Sequence, residues 1–147
     1  MSTKQLDTLY KFEKDKEVKA SQELQAAELD YQQNLDRLKG VGEYRLEYMR
    51  RLSERSKSGI DSSTFTHFHA FVKKLDQAGE QVKIAIHQSK AMMEKRKQQW
   101  LKQRQKVQAV EHLKEVQMKK IAIAEQRKEQ KMFDEIATQQ FLSLIHI

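Results

Sequence analysis

The sequence contains no cysteine, no proline and only four glycines in 147 residues. Without cysteine there is no disulfide framework and no thiolate zinc site, which fits reducing surroundings. Without proline, no residue must break a helix from inside. Aromatic residues make up 7% and apolar residues 38%, against 33% charged. That is too little apolar surface for a thick globular core. No window is apolar over the roughly 18 residues that a membrane-spanning helix needs. The opening stretch "MSTKQLDTLYKFEKDKE" lacks the apolar run of a secretory signal. Lys, Glu, Gln, Leu and Ala are abundant instead, the composition of long helices and coiled coils, with disorder as the competing reading.

Periodicity favours helices. Leu24, Ala27, Tyr31, Asn34, Leu38, Val41, Arg45, Tyr48 and Leu52 recur at alternating steps of three and four, a heptad seam interrupted by Asn34 and Arg45. "SERSKSGIDSSTF" then supplies the punctuation. Gly59 suits the left-handed conformation that ends a helix, and Asp61, Ser62 and Ser63 are N-cap candidates for the next. The period restarts at Phe68 and runs through Val72, Leu75, Gly79, Val82, Ile86, Ser89, Met93, Arg96 and Trp100, and polar residues invade it beyond that point.

The predicted fold is all-α, a long antiparallel two-helix coiled-coil hairpin. It is one domain over residues 1–141, with helix 1 about 3–55, a turn about 56–62 and helix 2 about 63–138. The register sets Leu52 against Phe65, Tyr48 against Phe68, Leu38 against Gly79, Tyr31 against Ile86 and Leu24 against Met93. Helix 2 beyond about Lys114 has no partner within the chain. Residues 142–147, "LSLIHI", break the polar pattern. The codons CTG-TCT-CTT-ATA-CAC-ATC for this string match a sequencing-library adapter, so the segment reads as a non-native tail.

A two-helix seam cannot enclose a substrate from water, so the sequence reads as a non-enzyme. No catalytic, cofactor or metal residues are nominated, and no small-molecule substrate. His67 and His69, two residues apart, point to different sides of a helix. No phosphate-binding loop or nucleophile elbow occurs. Net charge is +7, carried by the second half: residues 1–60 hold 12 Lys and Arg against 11 Asp and Glu, and residues 61–147 hold 16 against 10. A basic segment inside an antiparallel pattern does not match a basic-region zipper, so nucleic acid is not expected as a partner.

Aromatic residues crowd the turn. Tyr48 and Phe68 take seam positions, whereas Tyr44 and Phe71 fall just off the seam and are expected to be partly exposed, making an apolar patch rimmed by charge. Trp100, in "KRKQQWLKQRQK", reads equally as a seam residue and as a contact anchor.

The segments "EYRLEY", "GIDSSTF", "FVKKLDQAGEQ", "KRKQQW" and "AEQRKEQKMFDEIA", in this order and spacing, resemble the FliJ family of the bacterial flagellar export apparatus, from about Leu6 to Gln140. The resemblance implies a hairpin like the central-stalk subunit of rotary ATPases. It implies three partners: the hexameric flagellar export ATPase, whose assembly and activity it promotes; the cytoplasmic part of the export-gate membrane protein; and flagellar substrate chaperones. It places the protein in the cytoplasm, peripheral to the inner face of the cell membrane at the flagellar base. The gate-binding positions it implies are Val41, Tyr44, Tyr48, Phe71, Leu75 and Ala78, and Arg37 and Val82 beside them depart from the family's residues. Contact with the ATPase ring is expected at Trp100, Lys102, Arg104 and Lys106. The alternatives are a generic coiled-coil scaffold or dimer, or a basic helical protein that binds nucleic acid or lipid.

Overall fold

The computed structural model describes residues 1–145; His146 and Ile147, the end of the expected non-native tail, lie outside the described residues. Two helices pack against one another, α1 over Thr3–Lys57 and α2 over Ser62–Ile145. Helix α2 runs past the expected end near residue 138 because no proline or glycine follows Gly79 to stop it. Among the described residues there is no strand.

Local chemistry sets the helix ends. At the start of α1, Ser2 and Gln5 form a capping box. The Gln5 N–H donates to Ser2 Oγ at 3.1 Å, and the Ser2 N–H donates to Gln5 Oε1 at 2.9 Å. At the far end, Gly59 has φ +83°. A Cβ there would meet nothing within 4 Å, so glycine is required by backbone conformation and not by crowding. Of the three cap candidates the structure uses Asp61, whose Oδ1 accepts the Thr64 N–H at 2.9 Å. Hydrogen bonding from Thr64 holds the Asp61 carboxyl below its ordinary range.

The chain falls into two units, residues 18–102 and residues 1–17 with 103–147. In the first, the turn joins two antiparallel helices along one seam. Ala27, Leu52, Phe68 and Val72 are its buried apolar residues. The cross-helix pairs Glu23–Arg96, Arg45–Asp76 and Tyr48–Phe71 fall within about one helical turn of the expected register, whereas Asn34–Ser89 lies nearly two turns from it. Phe65 does not lie in the seam against Leu52. It is 45% exposed and packs edge-on against His69, with ring centroids 4.4 Å apart. Phe68, one turn later, is buried in the seam as its spacing indicates. Arg45 does not interrupt the seam either. Its side chain swings out and donates from Nε to Asp76 Oδ1 at 2.6 Å.

Asn34 is the true polar intrusion. It is 4% exposed and Ser89 is 5% exposed. Asn34 Nδ2 donates to Ser89 Oγ at 3.2 Å, Ser89 Oγ donates to the Ile86 carbonyl at 3.1 Å, and Arg37 Nη1 donates to Asn34 Oδ1 at 3.2 Å. A buried polar residue in a seam fixes register because any slip leaves it unpaired in an apolar neighbourhood.

In the second unit, Leu6, Val107 and Val110 are buried. Burying such a side chain contributes about 1.5–3 kcal/mol. Gln103 Nε2 donates to both the carbonyl and the Oε2 of Glu13, at 2.9 and 2.5 Å. Lys114 Nζ lies 3.1 Å from Asp7 Oδ1 and 4.6 Å from the Tyr10 ring centroid. From Met118 to Ile145 every residue is exposed.

Two stability experiments follow from these contacts. Since Asp61 has a depressed pKa in the folded chain, its cap stabilises above the unfolded carboxylate pKa and loses its contribution as pH falls through the folded value. Thermal melts should therefore show wild type above Asp61→Ala at neutral pH, with the gap closing in acid; a gap that persists there refutes the assignment. Ser89→Ala should cost about 1–3 kcal/mol by stranding the Asn34 amide, and Asn34→Leu with Ser89→Ala should recover that loss. Cysteine pairs introduced across the seam should then cross-link in more than one register in the double variant. A single register would deny Asn34 its aligning role.

Candidate interaction surface beside the turn

The six positions expected to meet an export gate lie in the unit that contains the turn. Val41, Tyr44 and Tyr48 follow at steps of three and four along α1, and Phe71, Leu75 and Ala78 at steps of four and three along α2, so each set is one stripe on its helix. The seam brings the stripes together. Tyr44 and Tyr48 stack with centroids 6.5 Å apart, Tyr44 meets the Phe71 ring edge-on at 6.0 Å, and Tyr48 lies 4.6 Å from Phe71 and 4.8 Å from Phe68. Such ring pairs are worth about 0.5–1.5 kcal/mol each beyond the area they bury.

Burial is graded across this cluster. Phe68 is buried, Tyr48 and Phe71 are half-buried, and Tyr44 is 54% exposed. Val41 and Leu75 are half-buried and Ala78 is exposed. The absent side chain of Gly79 belongs to the same arrangement: a Cβ there would stand 3.8 Å from Val41 Cγ1. The outcome is an apolar surface anchored from below by the seam and open above.

Charge rims it. The Arg45–Asp76 bridge ties the two helices beside Tyr44 and Leu75. Both partners are well exposed, so its stabilisation is small, about 0–1 kcal/mol. Arg51 and Arg50 share Glu47, and the Arg55 guanidinium sits 5.7 Å from the Phe68 centroid. An open groove lined by Tyr48, Arg51, Glu54, Arg55, Ser58 and Phe68 continues the surface toward the turn. The Arg45–Asp76 pair was missed by reading Arg45 as a seam residue; the expected register set position 45 opposite 72, one turn from Asp76, so spacing did not single it out.

The basic residues expected at an ATPase ring do not share one unit. Trp100 and Lys102 belong to the unit with the turn, and Arg104 and Lys106 to the other. Trp100 is half-buried, while Lys102, Arg104 and Lys106 are each exposed. Among the described residues no group of three or more His, Cys, Asp or Glu converges as a metal site would require, and no helix is long and apolar enough to cross a membrane.

Comparison with known proteins gives this geometry a context. A family model described as "Flagellar FliJ protein" matches residues 2–143. Two curated relatives, both named "Flagellar FliJ protein", are 29% identical over 106 residues, one from Salmonella typhi and one from Escherichia coli (strain K12). Each match covers 72% of this chain and 72% of the relative. No solved structure matches the chain. With the family model spanning nearly all of it, the chain belongs to the FliJ family of flagellar proteins.

Proposed function

We propose that this member of the FliJ family is a non-enzymatic stalk of the flagellar protein export apparatus. In this reading it binds the export ATPase ring, promotes the ring's assembly and activity, links it to the export gate and escorts substrate chaperones, from the cytoplasmic side of the membrane at the flagellar base. The observation that carries the reading is the aromatic cluster beside the turn. Tyr44 keeps more than half its surface in water although Phe71 and Tyr48 lie within ring-stacking distance. A cluster that served only to stabilise the turn would gain by covering Tyr44. A rigid aromatic held half-open on a buried base is what a protein-binding anchor requires.

The gate's cytoplasmic domain is the partner assigned to Val41, Tyr44, Tyr48, Phe71, Leu75 and Ala78. The ring is assigned to Trp100 and to the exposed cations Lys102, Arg104 and Lys106. Acidic loops of a ring would meet such cations through long-range attraction that salt screens.

Tyr44→Ala and Phe71→Ala should each weaken binding to the gate's cytoplasmic domain by about 30-fold or more, the scale of a binding hot spot, with helical circular dichroism unchanged. Loss of helicity in both variants would instead make the two rings structural. Changing Lys102, Arg104 and Lys106 together to Gln should reduce stimulation of the export ATPase and flatten its dependence on salt. Full stimulation by this variant at low ionic strength would remove the ring contact from these residues.

A further inference from the structure

The fully exposed stretch of α2 is not uniformly polar. Met118, Ile121, Met132, Phe133 and Ile136 stand open to solvent, Phe133 at 67%. At about 100° per residue these side chains and Ala122 fall within roughly one third of the helix circumference. Lys119, Lys120, Arg127, Lys128 and Lys131 all lie outside that sector, and so do Asp134 and Glu135. The charged residues inside it are Glu125 and Glu129, set in the middle of the stripe with apolar side chains on both flanks.

That placement leaves the pair only partly answered on its own helix, where Lys128 sits three residues from Glu125. Glu125 and Glu129 are four residues apart on one face, where like charges repel. Glu129 has Glu125, Gln126, Met132 and Phe133 at its helical neighbour positions, so no cation of its own helix faces it. Among the described residues neither carboxylate forms an ion pair. A second copy of the chain is a poor occupant for the stripe. Matching Met118 and Ile121 of one copy to Ile136 and Phe133 of the other, antiparallel, sets Glu125 opposite Glu129 twice, and a parallel alignment sets each glutamate against itself.

The geometry points to a foreign helix. We propose that the face formed by Met118, Ile121, Glu125, Glu129, Met132 and Ile136 docks an amphipathic helix of another protein whose own apolar stripe is interrupted at its centre by Lys or Arg. Apolar flanks would supply the burial, and the central charges would select the partner and fix its register. This surface is separate from the aromatic cluster beside the turn, and the proposal does not depend on the stalk reading.

The test titrates the full chain against two labelled amphipathic peptides that share one leucine stripe, one with a central pair of lysines and the other with a central pair of glutamates. Fluorescence anisotropy should show the lysine peptide binding about tenfold or more tightly at low salt, with the difference shrinking as salt rises. Glu125→Lys with Glu129→Lys should invert the preference, and Met118→Ser with Ile136→Ser should weaken both peptides. All four positions are exposed, so helical circular dichroism should be unaltered in each variant. Equal binding of the two peptides, binding of neither, or an unchanged preference in the double lysine variant would overturn the proposal. So would a concentration-dependent dimer in sedimentation that dissolves on Met118→Ser with Ile136→Ser, which would assign the face to a second copy.

Discussion

Everything in this protein depends on a seam that is one residue deep. Two helices can bury only the sides they turn toward each other, so each contributes a residue every three or four positions and leaves the rest in water. Leu52, Phe68 and Val72 in one unit, and Leu6, Val107 and Val110 in the other, are buried for this reason. Most of the remaining helical surface is exposed for the same reason. Such a core gives stability and alignment along a single line of contacts.

Alignment therefore has to come from particular contacts. An apolar seam alone tolerates sliding by a heptad, since one leucine replaces another. Asn34 removes that freedom in the unit that holds the turn, because its amide finds Ser89 in one register and would be stranded in others. Gln103 with Glu13 makes a comparable polar link in the other unit. The turn sets the starting point through Gly59 and the Asp61 cap. These polar contacts give up some stability relative to hydrophobic replacements and provide a defined pairing in return.

Function on such a scaffold must be presented on its outside. Beside the turn, aromatic residues exceed what the seam can absorb, and the surplus, Tyr44, rests on Phe71 and Tyr48 with its outer face exposed. The exposed part of α2 follows a different logic, an apolar stripe centred on two glutamates. One surface is built on a buried base and the other on a fully exposed stretch of helix, so the first is the more preorganised.

The amino-acid sequence by itself determined the helices, the turn and the seam, because helical periodicity, glycine at a left-handed position and an N-cap carboxylate act over a few residues and leave a local pattern. It also indicated that Tyr44 and Phe71 stand off the seam, since that follows from spacing. The Ser2–Gln5 capping box was legible as a local signature and was overlooked. What only the structure decided was how side chains near the boundary resolve: Arg45 leaves the seam for Asp76, Phe65 turns to His69, and Asp61 prevails over Ser62 and Ser63 as the cap. Each of these depends on the position of an atom on a distant or competing residue. For Arg45, spacing along one helix carries no record of that position, because it is fixed only when the second helix arrives.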